Sequence, residues 1–501
     1  MMKLSRESLQ SISPSNVIVP DEKIFGLPEK VLQFGAGVLL RALPDFFIDK
    51  ANRSGIFNGR IVIIKTTSRG DSTAFEKQDN LYTVCERGII EGQKIETNSI
   101  NSSISRVLLA QNDWKEILEC AHIPDLKIII SNTTEVGIQL TDDNINGEPP
   151  TSFPGKLLAI LHERYLAFGG SIDSGFVIVP TELILDNGGK LKSIVLELAQ
   201  LNSVKIDFIE WIEKHNHFCN SLVDRIVTGM PDEKIRRSIE NELGYEDDLL
   251  AVSEVYSLWA IEGDEKIKSV LSFAEVDNGV IIDPNIDLHR ELKLRLLNGT
   301  HTLTCGLAFL AGYNTVRESM DDTICSSFIA NLMRSEIAPS ILSDVDESIK
   351  NDFIHKVLDR FRNPHINHYW KNITLHYSSK LRMRCLPLLI SYYKKHEAAP
   401  PLFALGFAAY IYFMKPVKQE GKAFYGEWNG EFYLIDDEMA ERFYKLWNTL
   451  SAEEVVKEVL KDEVFWGTDL SKFPGFQQTV TDNLNSIISL GMKATLEQTI
   501  Q

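Results

Sequence analysis

Three polar residues within Leu292-Lys-Leu-Arg-Leu-Leu-Asn-Gly-Thr-His-Thr-Leu303 have the types and spacing for proton chemistry: Lys293, Asn298 and His301. On an α-helix, at ~100° per residue, Asn298 falls about 140° from Lys293 and His301 about 80°, so all three share one arc. The intervening leucines mark a helix that is largely buried. A buried lysine, asparagine and histidine are costly unless they line a polar cavity. Desolvation lowers a lysine's pKa and makes it an acid/base near neutral pH, and an asparagine beside it can donate to a developing alkoxide. The same spacing also fits a core helix with a surface lysine and a hydrogen-bonded core histidine. Gly299 inside a helix costs ~1 kcal/mol against alanine, which argues that something packs on the backbone there.

A second candidate is Gly35-Ala-Gly37, between an apolar run ending at Phe34 and a helical pattern over 39–51. Small residues after a strand let the backbone approach a pyrophosphate, whose charge suits a helix N-terminus. The full fingerprint has a third glycine where this chain has Leu40, so a tight β–α turn without ligand is the other reading. The next apolar run ends Ile64-Lys65-Thr66-Thr67-Ser68-Arg69, and no carboxylate appears before Asp71. Lys65 and Arg69 either favour a ribose 2′-phosphate or are exposed loop residues. Ser131-Asn-Thr-Thr-Glu135 follows a further buried run, where ligands of open α/β sheets bind; Glu135 is a proton-relay carboxylate or a helix cap. Asn220-Ser-Leu-Val-Asp224-Arg225 is a polar cleft segment or a surface ion pair. Arg360, Arg362, His368, Lys380, Arg382 and Arg384 concentrate basic side chains in an acidic chain, which suits a small anionic substrate such as a sugar acid, or a charged helix surface.

The elements that must position these groups alternate through the first half. Runs at 30–34, 60–66, 126–131 and 175–179 read as buried parallel strands, with helical patterns at about 39–51, 114–121 and 154–167. Segments 81–87, 94–97 and 104–109 read as short strands inserted on that sheet, and 251–282 is strand-rich. After Pro284 helical patterns take over, at 286–312, 320–345, 349–360, 380–395, 402–414, 437–461 and 477–498, with a hairpin around Asn429-Gly430. These patterns predict a polar lead-in over 1–27, then an α/β Rossmann-type N-terminal domain with a mainly parallel sheet over 28–284. A mostly α-helical C-terminal domain follows over 285–501.

The 501 residues hold 52 Lys and Arg against 70 Asp and Glu, a net charge of −18, which disfavours nucleic acid as a partner. Six cysteines lack CxxC spacing and read as reduced, buried thiols. HExxH, GxSxG and P-loop motifs are absent, and the histidine pairs at 215/217 and 365/368 lack metal-type partners, so a metal is not expected. The most apolar stretch, Pro401–Met414, is too short to span a membrane, and the N-terminus has no apolar signal core. The expected location is cytoplasmic.

Phe34-Gly-Ala-Gly37 with Arg41, Gln78-Asp-Asn-Leu-Tyr-Thr83, Ser131–Glu135, Asn220–Arg225, Lys293-x4-Asn298-x2-His301 and Arg360-Phe-Arg-Asn363-Pro364 occur in this order. The set, over about 30–500, resembles the mannitol dehydrogenase family of polyol-specific long-chain dehydrogenases. The resemblance implies a metal-independent, NAD-linked enzyme, with NADP left open by the missing acid near Lys65. It implies that Lys293 is the catalytic lysine, Asn298 stabilises the oxyanion, and His301 polarises and orients the substrate. Substrate contacts carry over to Asp224 and Arg360, with Arg362, His368 and Lys380 completing an anion-binding cluster. Glu135 matches a carboxylate that exchanges protons with bulk water. Cofactor contacts are implied at Phe34, Gly35, Ala36, Gly37, Arg41 and Thr133. A second oxyanion asparagine, frequent in the family, would fall at Leu183. Thr228-Gly-Met-Pro231, Arg360–His368 and Gly426–Tyr433 with Asp436-Asp437 resemble members that act on tagaturonate. The implied reaction is reversible NAD-dependent reduction of D-tagaturonate to D-altronate in hexuronate catabolism. Fructuronate and fructose are alternative substrates, and a non-catalytic nucleotide-binding protein is the remote alternative. The expected partner is a small sugar acid rather than a nucleic acid or a membrane; a monomer and a small homo-oligomer both remain open.

Overall fold

The computed structural model describes residues 1–66, 72–133, 136–341 and 345–500. The chain divides into two compact units: Met1–Gly88 with Lys94–Ile286, and Asp287–Gln501 with Ile89–Gln93.

The first unit is built on a six-stranded sheet of β1 (Glu29–Phe34), β2 (Arg60–Lys65), β3 (Ile104–Leu109), β4 (Ile128–Ser131), β5 (Val177–Pro180) and β6 (His217–Phe218), in the order β3-β2-β1-β4-β5-β6. Every pairing is parallel. Ile61 to Ile64 are all 0% exposed, as a strand covered on both faces requires. Alternate residues serve opposite layers. Leu32, Phe34, Val62, Ile64 and Ile129 pack with the helices Phe153–Ala167 and Asn187–Leu201, while Val31, Ile61, Ile63 and Ile130 pack with Pro44–Arg53. The chain reverses direction across the sheet between β1 and β4, and the carboxyl ends beside this switch point are where open α/β sheets bind ligands. Register keeps those ends level: Phe34 lies opposite Ile64 and Ser131, and Ser131 opposite Pro180.

Two expectations are corrected here. Residues 104–109 are not part of an insertion but the edge strand β3; Tyr82–Ile90 and Gln93–Asn101 instead join Val227–Gly229 and Ala251–Glu254 in a separate four-stranded sheet. The helix expected over 39–51 is two helices, Val38–Arg41 and Pro44–Arg53. Pro44 lacks the N–H that a continuous ladder needs and opens the second one. The first residues also pack onto this unit: Leu4, Leu9, Ile12 and Val17 are buried with Leu81, Cys85 and Tyr245.

The second unit is helical around a core that includes Pro401–Phe413. Among the described residues no helix is long and apolar enough to cross a membrane. A three-stranded antiparallel meander (Lys418–Glu420, Ala423–Trp428, Glu431–Ile435) turns at Asn429-Gly430, both at positive φ. The helical patterns at 437–461 and 477–498 are each broken once, the latter at Gly491 with φ +83°. Among the described residues three segments are π-helical: Lys293–Gly299, Leu332–Ile337 and Leu381–Cys385.

Candidate active site

At the carboxyl ends of β1, β2 and β4 the first unit opens a cleft of about 430 Å³, lined by Gly35, Ala36, Gly37, Lys65, Asn132 and Thr133, with Ser152 and Lys156 among its other walls. Gly35 has φ +117°, and a Cβ there would lie 3.1 Å from both Asn132 O and Leu40 Cδ1. Glycine is therefore required by conformation and by space. Leu40, at the third-glycine position, is buried and closes the turn from behind. A Cβ on Gly37 would meet nothing within 4 Å, so this residue leaves bare backbone toward open space.

Phe34 and Arg41, expected among the cofactor contacts, send their side chains inward. Phe34 is 0% exposed and packs edge-on to Phe153 at 4.8 Å. The Arg41 guanidinium lies 5.2 Å from the Tyr82 ring and donates to Leu249 O. Neither lines the cleft. Ala36, Gly37 and Thr133 do. Glu135, Arg69 and Asp71 lie outside the described residues.

Sequence reasoning missed Glu182. It is 3% exposed, and its carboxylate accepts from Thr133 N (2.8 Å), Thr133 Oγ1 (3.0 Å) and Ser131 Oγ (3.1 Å). Asn132 Nδ2 donates to Thr181 Oγ1 at 2.9 Å, and Thr181 Oγ1 donates to Ser131 O at 2.8 Å. The segments after β4 and β5 are thus sewn together, and Thr133 is held at the cleft wall. The available signal was a lone carboxylate two residues past a buried strand. Leu183 beside it is 64% exposed. Asn187 does not stand in for the asparagine expected at 183: its Nδ2 donates to the carbonyls of Pro180, Glu182 and Ser221, each at 3.1 Å. Lys156 is 1% exposed, donates to Thr151 O at 2.7 Å, and has its pKa lowered by burial.

Asp224 ends the strand Ser221–Asp224 in the same unit and is half-buried. The neighbouring Arg225 is buried and braces the fold, 2.6 Å from Glu86 Oε1 and donating to Glu254 O at 2.9 Å.

In the second unit Lys293, Asn298 and His301 lie on one helical rod, but its geometry differs from the α-helical arc. Asp287–Leu292 and Thr300–Leu310 are α-helical, and Lys293–Gly299 between them is a π-turn. Hydrogen bonds there run i→i+5, so the turn is wider than that of an α-helix and the α-helical ~140° between Lys293 and Asn298 does not hold. Lys293 and Asn298 are half-buried, and His301 is 8% exposed. A second π-turn, Leu381–Cys385, packs beside the first. Arg295 Nη1 donates to the carbonyls of Met383 and Arg384, each at 2.8 Å, and Cys385 Sγ contacts Gly299 O at 3.6 Å. What packs against the backbone at Gly299, as the sequence led one to expect, is this second turn and Leu388 after it.

Around His301 the second unit gathers positive charge. The imidazole stacks on Phe361 at 4.3 Å and meets the His368 ring at 5.0 Å. Burial, then His368, Arg360, Arg384 and Lys380, hold its pKa well below the ordinary histidine value. His368 is lowered by burial and by Arg360 and Lys380. Burial, then Arg384, lowers Lys380, whose Nζ donates to Ile373 O at 3.0 Å. Both imidazoles are therefore neutral near pH 7. His301 Nε2 is buried with no hydrogen-bond partner among the described residues; such a group needs a partner from a ligand or water. The structure thus brings together His301, His368, Arg360 and Lys380, and adds Arg384. It leaves out Arg362, which is exposed and 3.8 Å from Asp359. Arg382 also faces outward, donating to Phe465 O at 3.0 Å.

Residues 29–272 match the family description "Mannitol dehydrogenase Rossmann domain" and residues 285–488 "Mannitol dehydrogenase C-terminal domain". The chain is 38% identical to an altronate oxidoreductase of Halalkalibacterium halodurans over 94% of its length and 93% of the relative's. It is 36% identical to an altronate oxidoreductase of Pectobacterium carotovorum over 94% and 96%. Among solved structures it is similar to Pseudomonas fluorescens mannitol 2-dehydrogenase in ternary complex with NAD and D-mannitol (TM-score 0.67, 23% identity, covering 99% of each chain). A substrate-free D-sorbitol dehydrogenase gives TM-score 0.77 at 20% identity, covering 98% of this chain and 100% of the other. With a dinucleotide-type switch point in one unit and a Lys-Asn-His turn in the other, the chain belongs to the mannitol dehydrogenase family and is an oxidoreductase acting on CH–OH groups.

Proposed function

We propose that this protein reduces the ketone of D-tagaturonate to D-altronate with NADH, reversibly, in hexuronate catabolism. The observation that carries the reading is the cationic surround of His301, from Arg360, Lys380 and Arg384, in a chain of net charge −18. Such a surround suits a sugar acid and has no use for an uncharged polyol. The names of the relatives from Halalkalibacterium halodurans and Pectobacterium carotovorum agree with it.

A dinucleotide fits the first unit. The turn at Gly35 tolerates no side chain, and Gly37 offers bare backbone. Ala36, Asn132 and Thr133 would line its binding, with Lys65 at the ribose end. The absence of a carboxylate at the end of β2 makes the choice of NAD over NADP rest on family membership. When bound, the nicotinamide supplies a hydride to the ketone carbon. The remaining work belongs to the chain. Lys293 gives its proton to the alkoxide oxygen and takes one back in the reverse direction. Asn298 donates to the same oxygen as charge develops on it. Neutral His301 offers Nε2 to a substrate hydroxyl, which supplies the partner that nitrogen lacks. Asp224 binds a further hydroxyl, and Glu135 relays a proton from solvent to Lys293 during reduction and back to solvent in the reverse direction. Overall, ketone, NADH and one proton become alcohol and NAD⁺.

Oxidation of NADH and NADPH followed at 340 nm with D-tagaturonate, D-fructuronate and D-fructose tests the proposal. The expected result is the highest kcat/KM for tagaturonate with NADH. A preference for fructose would remove the role given to the cationic cluster, and a preference for fructuronate would reassign the substrate.

A further inference from the structure

The geometry points to Arg384 as the residue that reads the substrate's carboxylate and so sets specificity for a ketose acid over a neutral ketose; this rests on the function proposed above. Arg384 occupies the second π-turn, where Arg295 pins its carbonyl at 2.8 Å. Its Nη1 donates to Thr302 Oγ1 at 3.2 Å, and Thr302 Oγ1 in turn donates to Asn298 O at 2.7 Å. The guanidinium is thereby anchored one residue from His301 and tied to the carbonyl of the asparagine assigned to the oxyanion.

A guanidinium carries five N–H donors, and this one spends a single donor on a protein partner among the described residues. No acidic side chain among the described residues pairs with it, in contrast to Arg362, which has Asp359, and Arg295, which has Glu291. Burial disfavours its charge, and after burial, His368 and Arg360 it is the next influence that lowers the His301 pKa. A half-buried guanidinium without a counter-charge is costly, and a planar carboxylate is the partner that its fork matches in two hydrogen bonds. Lys380 is less suited: its Nζ is already directed to Ile373 O, and it lacks the fork. The anchoring through Thr302 also explains why the residue is an arginine. One edge can hold the protein while the other holds the ligand.

The test compares wild type, Arg384→Gln and Arg384→Lys as full chains with NADH, using D-tagaturonate and D-fructose as substrates. Binding of altronate and of uncharged altritol to the NADH-loaded enzymes, which cannot oxidise them, is measured by calorimetry in parallel. Arg384→Gln should lower the acid-over-neutral selectivity by ~100-fold, mostly through KM and altronate affinity. Arg384→Lys should recover part of the loss but less than half of it on a logarithmic scale. An unchanged NADH dissociation constant reports that the variants are folded. Equal losses for charged and neutral ligands would make Arg384 a structural brace and overturn the inference, as would an unaltered affinity for altronate. If the wild type reduces no ketose acid, the function proposed above fails, whatever Arg384 does.

Discussion

Replacing Asp45 with asparagine probes the buried polar cluster behind the glycine turn. Asp45 is 0% exposed and its Oδ2 accepts from the Tyr82 hydroxyl at 3.2 Å. Burial pushes its carboxyl up to about 7, against the lowering influence of Gln33, Tyr82 and Arg41. Asp45 Oδ1 and Gln33 Oε1 are both buried without a partner among the described residues. Gln33 Nε2 in turn donates to Gly35 O at 3.3 Å. A carboxyl that titrates near 7 in the folded chain and at ~3.9 in the unfolded one holds an extra proton in the folded state between those values. The stability it contributes is therefore present at the acid end and lost as pH rises through 7. Integrating this linkage from about pH 5 to about pH 8 gives a loss of ~2.6 kcal/mol. Asparagine keeps the size and cannot titrate. The unfolding free energy of Asp45→Asn relative to wild type, from urea titrations at the two pH values, should move in favour of the variant by about 2.6 kcal/mol on going from acid to base. A change under ~0.5 kcal/mol, or one of opposite sign, would refute the assignment of a protonated Asp45.

Gly35→Ala forces a side chain into positive φ and against Asn132 O and Leu40 Cδ1. It should cost ~1–3 kcal/mol of stability and weaken NADH binding at least tenfold, read by thermal unfolding and fluorescence titration. Glu182→Ala strips three hydrogen bonds from Ser131 and Thr133 and should raise the NADH dissociation constant about tenfold. Glu182→Gln keeps an acceptor for Thr133 and should cost less than ~1 kcal/mol in the same titration, so equal effects from the two variants would argue against this positioning role.

Much of the first unit was legible because its signals are local. Four consecutive buried β-branched residues, Ile61–Ile64, can only be a covered strand, and Gly35 announces a turn that the structure bears out at φ +117°. The second-unit cluster was legible as composition, and His301, His368, Arg360 and Lys380 do converge. What stayed hidden depends on tertiary partners. Residues 104–109 look like a free hairpin strand until Ile104 is seen opposite Ile61. The π-turn at Lys293–Gly299 has no periodicity of its own, since one extra residue per turn leaves the apolar pattern on either side unchanged. Glu182 carries no spacing signal, because its partners Ser131 and Thr133 are some fifty residues upstream. Arg362 and Arg384 cannot be told apart by charge; only the structure separates the one facing Asp359 from the one bonded to Thr302.

The central claim is that Lys293 moves the proton while a ketose acid is reduced. Its most direct test is turnover of D-tagaturonate with NADH by wild type and Lys293→Ala, with the NADH dissociation constant measured on both. The account predicts that kcat falls by about 10³ or more in the variant while NADH binding stays within about twofold. Retention of wild-type kcat by Lys293→Ala would contradict it.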